Sequence, residues 1–187
     1  MNLLFYLYFT FTLYSFAGWI IEELYSKYSR GKFKKEGFLI EPLKPMYGIA
    51  MTILIVFYEI LKIKGIPFAI LCFLVPTVVE YITGYVLKHV FKIFYWDYSD
   101  LKFNINGYIS LIFSCYWCIL SYIGVVYINQ IITGWYMNFK AILNIVLIML
   151  FIIFTADLSI TLVKYYNTKD IQNIWGDLFI SVASWKK

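Results

Sequence analysis

The sequence is poor in charged residues, and this scarcity restricts the class of protein it encodes. Only 14% of its 187 residues are Asp, Glu, Lys or Arg, whereas 62% are apolar and 22% aromatic. A soluble domain of this length needs more polar side chains to cover its surface. The composition therefore excludes an ordinary soluble domain and indicates a single membrane domain.

Histidine and cysteine are also scarce, which argues against metal chemistry. The chain has one histidine, His89, and three cysteines, of which Cys115 and Cys118 stand at helical i, i+3 spacing. A metal site needs more ligands, and no second cysteine pair follows. The thiols are predicted to be structural, and no metal or other cofactor is expected.

The sequence has no Gly-x4-Gly-Lys-Ser/Thr phosphate loop, so any ATP hydrolysis would need a separate ATPase subunit. It also has no His-rich or cysteine-nucleophile constellation. Whether the chain is an enzyme stays open at this stage, with a non-enzymatic role favoured.

Long apolar runs dominate the chain. They cover residues 3–21, 46–61, 66–90, 108–128 and 141–163, and about 20 residues cross the hydrocarbon of a bilayer. The second run is short and contains Glu59, so it needs a locally thin bilayer or snorkelling of Lys62. We predict an all-α membrane bundle of about five transmembrane helices in residues 1–163.

Residues 164–187 are predicted to form a cytoplasmic tail. Thr168 is the expected N-cap of an amphipathic helix that lies along the membrane surface. Its apolar side chains recur at helical spacing. They are Ile171, Ile174, Trp175, Leu178, Phe179, Val182 and Trp185.

Basic residues alternate between the two sides of the predicted spans. The connections after the first, third and fifth runs carry thirteen of the sixteen, and the other side carries Lys62, Lys64 and Lys140. The positive-inside rule then places the N-terminus outside and the C-terminus in the cytoplasm. The net charge of +5 is expected to meet lipid headgroups and not nucleic acid. The strong preference for lysine over arginine is typical of an AT-rich bacterial genome, which suggests a bacterial plasma membrane.

Acidic residues inside an apolar run, or directly at its end in the case of Glu22, are the first candidates for function. Glu22, Glu80 and Asp157 lie in the predicted cytoplasmic half, where an unpaired carboxylate costs roughly 2.5–3.5 kcal/mol on insertion scales. Pro76 stands one turn before Glu80 and can open a polar notch there.

Two interpretations of these carboxylates remain open, a functional site and a network that only fastens helices together. For Glu80, the neighbouring Lys88 and His89 are the predicted partners. Small residues such as Gly18 and Gly84 favour close helix packing over an oligomer interface, although a homo-oligomer stays open.

The two large predicted cytoplasmic loops follow a similar plan. Residues 22–48 and 80–107 each lead from a helix that bears a glutamate to a glycine, which suggests a parallel repeat of helix pairs. Aromatic belts at the membrane surface explain Trp96 but neither Asp97 nor Asn104.

These segments also carry a family resemblance. From about Tyr14 to Trp117 the chain resembles the bacterial CmpB-like family, labelled putative type IV ABC-transporter permease. The matching segments are Tyr14-Ser15-Phe16-Ala17-Gly18-Trp19, Glu22, Gly37-Phe38-Leu39, Pro45-Met46-Tyr47-Gly48, Glu80-Tyr81-Ile82-Thr83-Gly84, Trp96-Asp97-Tyr98-Ser99, Asn104 and Gly107. The resemblance implies a helical membrane protein that takes part in transport, with an ATPase as a separate partner.

The leading hypothesis is a permease-like subunit of unknown substrate. Its predicted cavity is lined by four polar side chains, with two aromatic ones at the mouth. They are Glu22, Glu80, Asp97 and Asn104, then Tyr47 and Trp96. A membrane-embedded enzyme acting on lipid headgroups and a non-catalytic membrane partner or sensor are the alternatives.

Overall fold

The computed structural model describes residues 2–31 and 37–168, and helices dominate these residues. They are α1 (Leu3–Arg30), α2 (Pro45–Ile55), α3 (Gly65–His89), α4 (Leu111–Ile123) and α5 (Asn129–Thr168). Two π-helical turns, Val56–Ile60 and Gly124–Ile128, extend α2 and α4. A small hairpin pairs β1 (Asn104–Ile105) with β2 (Ile109–Ser110) in antiparallel register.

Local sequence accounts for several helix boundaries. The side chain of Asn2 accepts a hydrogen bond from the N–H of Leu4 at the start of α1, and Gly31 ends that helix with φ of 70°. Pro45 begins α2, where its missing N–H costs nothing. Helix α1 continues past the predicted limit of residue 21 because polar residues can extend a helix beyond the hydrocarbon.

The first four helices alternate in direction. Tyr47 and Glu59, near the two ends of the α2 segment, contact Glu22 and Tyr6 of α1, so α2 is antiparallel to α1. We call the end that carries the connections 31–44 and 90–110 the loop end. The other end, near Tyr6 and Glu59, is called the far end.

Helix α5 contains a break and returns toward the loop end. Phe139 has the non-helical angles φ −115° and ψ 16°. Beyond it, Phe151 packs on Tyr8 and Phe154 packs on Phe11, so this part of α5 runs parallel to α1. Since α4 is antiparallel to α1, the segment Leu111–Thr168 passes along the bundle twice.

Within the described residues, three helices are long and apolar enough to cross a membrane. They are Leu3–Ser29, Gly65–His89 and the 57-residue Leu111–Asn167, and Pro45–Ile60 is a shorter apolar helix. A straight helix of that greatest length would measure roughly 85 Å, nearly three times the hydrocarbon thickness. The predicted helical membrane protein is confirmed at this level.

Two glycines allow α1 and α2 to pack at close range. A Cβ atom on Gly18 would overlap the ring of Tyr47, and one on Gly48 would overlap Ser15 and the backbone of Phe11. The close approach predicted at Gly18 is therefore confirmed, and it places Tyr47 directly beside α1.

The β1–β2 hairpin shortens the predicted fourth span at its start. Asn106 and Gly107 have φ of 54° and 72°, and the N–H of Tyr108 donates to the carbonyl of Ile105 at 3.0 Å. Positive φ at both central residues is typical of a tight hairpin turn. Helix α4 therefore begins at Leu111 instead of residue 108. Residues 164–168 continue α5, and the rest of the predicted tail helix lies outside the described residues.

Candidate functional site

A polar cluster joins α1, α2 and α3 near the loop end, and we call it the loop-end cluster. It consists of Glu22, Lys44, Tyr47, Glu80 and Tyr98. The two oxygens of Glu22 are both engaged, one by the Tyr47 hydroxyl at 3.1 Å and the other by the Lys44 ammonium at 2.8 Å. Glu22 therefore has its own counter-charge, which offsets the cost of keeping it in an apolar region.

Glu80 is buried much more deeply and is only partly satisfied. Its residue is 2% exposed, and the hydroxyl of Tyr98 donates to Oε1 at 3.1 Å. Among the described residues, Oε2 of Glu80 and Nε1 of Trp117 lack hydrogen-bond partners. Burial, and secondarily Glu80, raises the pKa of the Tyr98 phenol, so this hydroxyl remains a donor.

The partners predicted for Glu80 from the sequence are engaged elsewhere. Nε2 of His89 lies 3.1 Å from the hydroxyl of Tyr108. The ammonium of Lys88 lies 4.9 Å and 5.2 Å from the ring centroids of Phe94 and Tyr108. That prediction was wrong because the loop after α3 folds back and presents Tyr98 to the carboxylate.

A cavity of about 750 Å³ lies between the helices. Tyr47 and Glu80 line it, together with Pro76 and Trp117, and the other lining residues are mostly apolar. Glu80 is the single Asp, Glu, Lys, Arg or His among the lining residues. The cavity extends from Ile21 near the loop end to Phe9 along α1, a length of roughly 18 Å.

The other candidate residues build the loop that supports Tyr98. Nε1 of Trp96 donates to the carbonyl of Tyr108 at 2.9 Å, and Asp97 accepts from the hydroxyl and the N–H of Ser99 at 2.5 and 2.9 Å. Asn104 donates to the carbonyl of Leu101 at 2.7 Å.

The same loop also lowers the pKa of the Asp97 carboxyl. The two bonds from Ser99, first from its hydroxyl and then from its N–H, hold the pKa of the Asp97 carboxyl below its ordinary value. Of the six predicted site residues, Tyr47 and Glu80 line the cavity, Glu22 lies beside it in the cluster, and Trp96, Asp97 and Asn104 shape the loop.

Asp157 fastens the first loop to α5. Its two oxygens accept from the backbone N–H groups of Ile40 and Glu41 at 3.1 and 2.8 Å, and the hydroxyl of Thr161 donates to it at 3.2 Å. Desolvation, and then the charge of Asp157, raises the pKa of the Glu41 carboxyl. This geometry matches the fastening interpretation for Asp157.

A second polar cluster lies at the far end, and we call it the far-end cluster. The carboxylate of Glu59 accepts from Asn129 Nδ2 at 2.6 Å and from the Tyr6 hydroxyl at 3.0 Å. The Tyr6 and Thr133 hydroxyls are 2.7 Å apart, and Tyr14 donates to the carbonyl of Gly124 at 3.0 Å.

The sequence-based site prediction missed this far-end cluster. Glu59 lies in the second apolar run and Asn129 directly follows the fourth, which is the signal that could have found them. Each lies in or next to a π-helical turn, a feature frequent at functional sites.

No set of three or more His, Cys, Asp or Glu side chains within residues 2–31 and 37–168 is arranged to hold a metal ion. The site therefore offers hydrogen bonds, one buried carboxylate and aromatic surface to a ligand.

Apolar helices around a partly polar interior define a polytopic membrane protein. A family model described as "Putative ABC-transporter type IV", the CmpB family, matches residues 9–162. The chain belongs to this family, which confirms the resemblance and indicates a transport-related membrane protein. No curated protein and no solved structure matches the chain.

Proposed function

We propose that the protein is a permease-like subunit of a membrane transporter, with its substrate site at the loop-end cluster and the adjoining cavity. One observation carries the proposal. In a member of an ABC-transporter family, a buried and half-satisfied carboxylate, Glu80, lines a large apolar cavity. Such groups in membrane proteins are costly and mark substrate pathways.

Five crossings fit this role. The reversal of α5 after Phe139 divides Leu111–Asn167 into two passes, and the shorter Pro45–Ile60 supplies the remaining one. By the positive-inside rule, the basic residues of the connections at the loop end favour the cytoplasm of a bacterial cell for that end, with the N-terminus outside.

In this topology the substrate site faces the cytoplasmic half of the bilayer. Glu22 is neutralised by Lys44 and holds Tyr47 in place, whereas Oε2 of Glu80 has no hydrogen-bond partner among the described residues. Asp97 and Asn104 order the loop that positions Tyr98. An ATPase subunit would dock on the cytoplasmic loops and supply the energy.

The partner is tested by affinity purification of the full chain from native membranes in mild detergent, followed by mass spectrometry. We expect an ATPase chain to be enriched over an equally tagged, unrelated membrane protein of similar size. Absence of any ATPase at normal recovery of the chain would contradict the proposed subunit role.

The site is tested by comparing small molecules in cells that lack the protein with cells that express it. We expect at least one compound to change its distribution in the deletion strain and to be restored by the wild type. Glu80→Gln should fail to restore it at equal membrane abundance. The matched control is Asp100→Asn, which removes an exposed carboxylate outside the cavity. Restoration by Glu80→Gln would remove Glu80 from the mechanism.

A non-catalytic membrane partner is the second candidate, because Glu22 and Asp157 are both satisfied within the protein. On that hypothesis Glu80→Gln changes stability in detergent and leaves every compound distribution unchanged. The stability of Glu80→Gln in detergent and its effect on compound distributions therefore separate the two functions.

A further inference from the structure

We propose that the cavity binds an amphipathic molecule with one cationic head, held at Glu80 beside the rings of Tyr47 and Trp117, and an apolar body that extends toward the far end. This inference rests on the proposed transport function, because it names the substrate class of the same site.

The charge of the site favours a cation. Within the described residues no lysine or histidine forms an ion pair with Glu80, and the nearby Lys44 is engaged by Glu22. Glu80 Oε2 is buried without a hydrogen-bond partner among these residues. An ammonium group would supply the missing donor and the opposite charge together.

The aromatic side chains beside Glu80 favour the same ligand. The rings of Tyr47 and Trp117 meet edge to face, with centroids 5.2 Å apart and an interplanar angle of 69°. Both line the cavity with Glu80. Rings around a carboxylate attract ammonium groups through their negative faces, which is the usual way that proteins recognise such heads.

The rest of the cavity selects for an elongated apolar body. From the level of Glu80 the lining continues past Met51 and Gly124 to Phe139 and Leu143 near the break in α5. Glu80 is the one Asp, Glu, Lys, Arg or His side chain in this lining. A molecule that places a single charge at Glu80 would therefore bury its apolar part in a matching environment.

Binding is tested with two photoreactive probes in lipid nanodiscs that contain the full chain and no ATPase. One is a long-chain alkylamine with a diazirine at its far end, and the other has the same chain and a carboxylate head. We expect the amine to label residues near Phe139 and Leu143, and the carboxylate to label them about tenfold less. Equal labelling by both probes would overturn the proposal without the use of any variant.

Variants then locate the head of the probe. Glu80→Gln and Trp117→Leu should each lower labelling by the amine, the first by about tenfold, while Asp100→Asn keeps it. Thermal unfolding of each variant verifies that it is folded. A folded Glu80→Gln protein that labels like the wild type contradicts the inference.

The source of the ligand is separated by the lipid of the nanodisc. Competition by phosphatidylethanolamine, compared with discs of phosphatidylglycerol alone, would assign the head to a membrane lipid. Competition by a soluble amphipathic amine alone would assign it to a soluble compound, and either result supports recognition of an ammonium group at Glu80. Equal labelling by the amine and carboxylate probes would contradict this inference but would not change the recovery of an ATPase with the chain. This inference and the proposed function can therefore fail separately.

Discussion

At the scale of single residues, the partner of each carboxylate decides what that carboxylate can do. Glu22 has a lysine and a tyrosine, and Asp157 has two backbone N–H groups, so both are satisfied inside the protein. Glu80 has one tyrosine and one unpartnered oxygen within the described residues. Three carboxylates therefore have two different roles. Glu22 and Asp157 hold parts of the protein together, and Glu80 is a candidate ligand site.

Glu41→Gln is predicted to flatten the pH dependence of stability. The folded chain binds the Glu41 proton more tightly than the ordinary value of 4.5 implies, first through desolvation and then through Asp157. The folded state therefore holds more protons than the unfolded state above that value, and stability falls as pH rises through the raised folded pKa.

For this variant we expect a higher unfolding temperature than the wild type at about pH 7 and no difference at about pH 4. Tryptophan fluorescence during heating in nanodiscs measures it. Asp100→Asn serves as the control and should keep the wild-type slope. A lower unfolding temperature for Glu41→Gln at neutral pH would show that the charged form of Glu41 is favoured.

At the scale of helices, close packing and two π-helical turns bring polar groups together. The glycines of α1 and α2 let these helices approach, and the π turns rotate Glu59 and Asn129 into one cluster. Helical periodicity of 3.6 residues does not report such a turn, because the extra residue shifts every side chain after it.

Gly48→Ala is predicted to destabilise the α1–α2 pair by about 1–3 kcal/mol through overpacking. The added Cβ would overlap Ser15 and the backbone carbonyl of Phe11, and a backbone atom cannot turn aside. Gly134→Ala is the matched control, since nothing lies within 4 Å of its added Cβ. The free energy of unfolding in mixed micelles measures both variants. Equal stability of the two would contradict close packing at Gly48.

Asn129→Ala is predicted to cost about 1–3 kcal/mol, because Glu59 loses a donor in a buried cluster. Asn129 Nδ2 reaches the carboxylate at 2.6 Å, and Asn129 itself is 0% exposed. Asn129→Asp should be worse, since it places a second carboxylate beside Glu59. Gln130→Ala, at the exposed neighbouring position, is the control and should be nearly neutral. The free energy of unfolding in mixed micelles measures all three variants.

At the scale of the whole molecule, the reversal within α5 decides the topology. Tyr136, before the break at Phe139, packs on Tyr6, and Phe151, after it, packs on Tyr8 in the same end of α1, so the chain turns back near Phe139. In the proposed five-crossing topology this turn lies on the side of the membrane opposite the loops.

Cysteine labelling is predicted to show that the turn near Phe139 lies outside the cell and that the loops lie inside. In a chain whose native cysteines are replaced, Lys140→Cys should react with an impermeant maleimide in intact cells. Asp100→Cys should react only after the membrane is opened. Both positions are exposed in the protein, so burial does not confound the comparison. Protection of Lys140→Cys in intact cells would contradict five crossings.

Much of the fold can be predicted from the sequence alone. The apolar runs locate the helices to within a few residues at most ends, because a bilayer demands long apolar helices and polar connections. Family motifs in the helices and loops identify the family, since they combine many residues in one order. The β1–β2 hairpin was missed, although Asn106-Gly107 is a turn signal.

The candidate site was only partly predictable. Glu80 and Tyr47 could be selected from the sequence, since a carboxylate in an apolar run is costly and Tyr47 lies in a family motif. The pairing of Tyr98 with Glu80 could not be predicted from the sequence, because it depends on how the loop after α3 folds back. Neighbours along the chain, Lys88 and His89, were the natural choice and were wrong.

The sequence by itself determined that this is a helical membrane protein of the CmpB family, because hydropathy and motif order are local properties of a chain. Tertiary structure alone decided that Glu80, with one unpartnered oxygen among the described residues, lines a cavity, and which helices border that cavity. Hydrogen bonds and burial depend on distances between residues far apart in the chain, and those distances exist only once the helices pack.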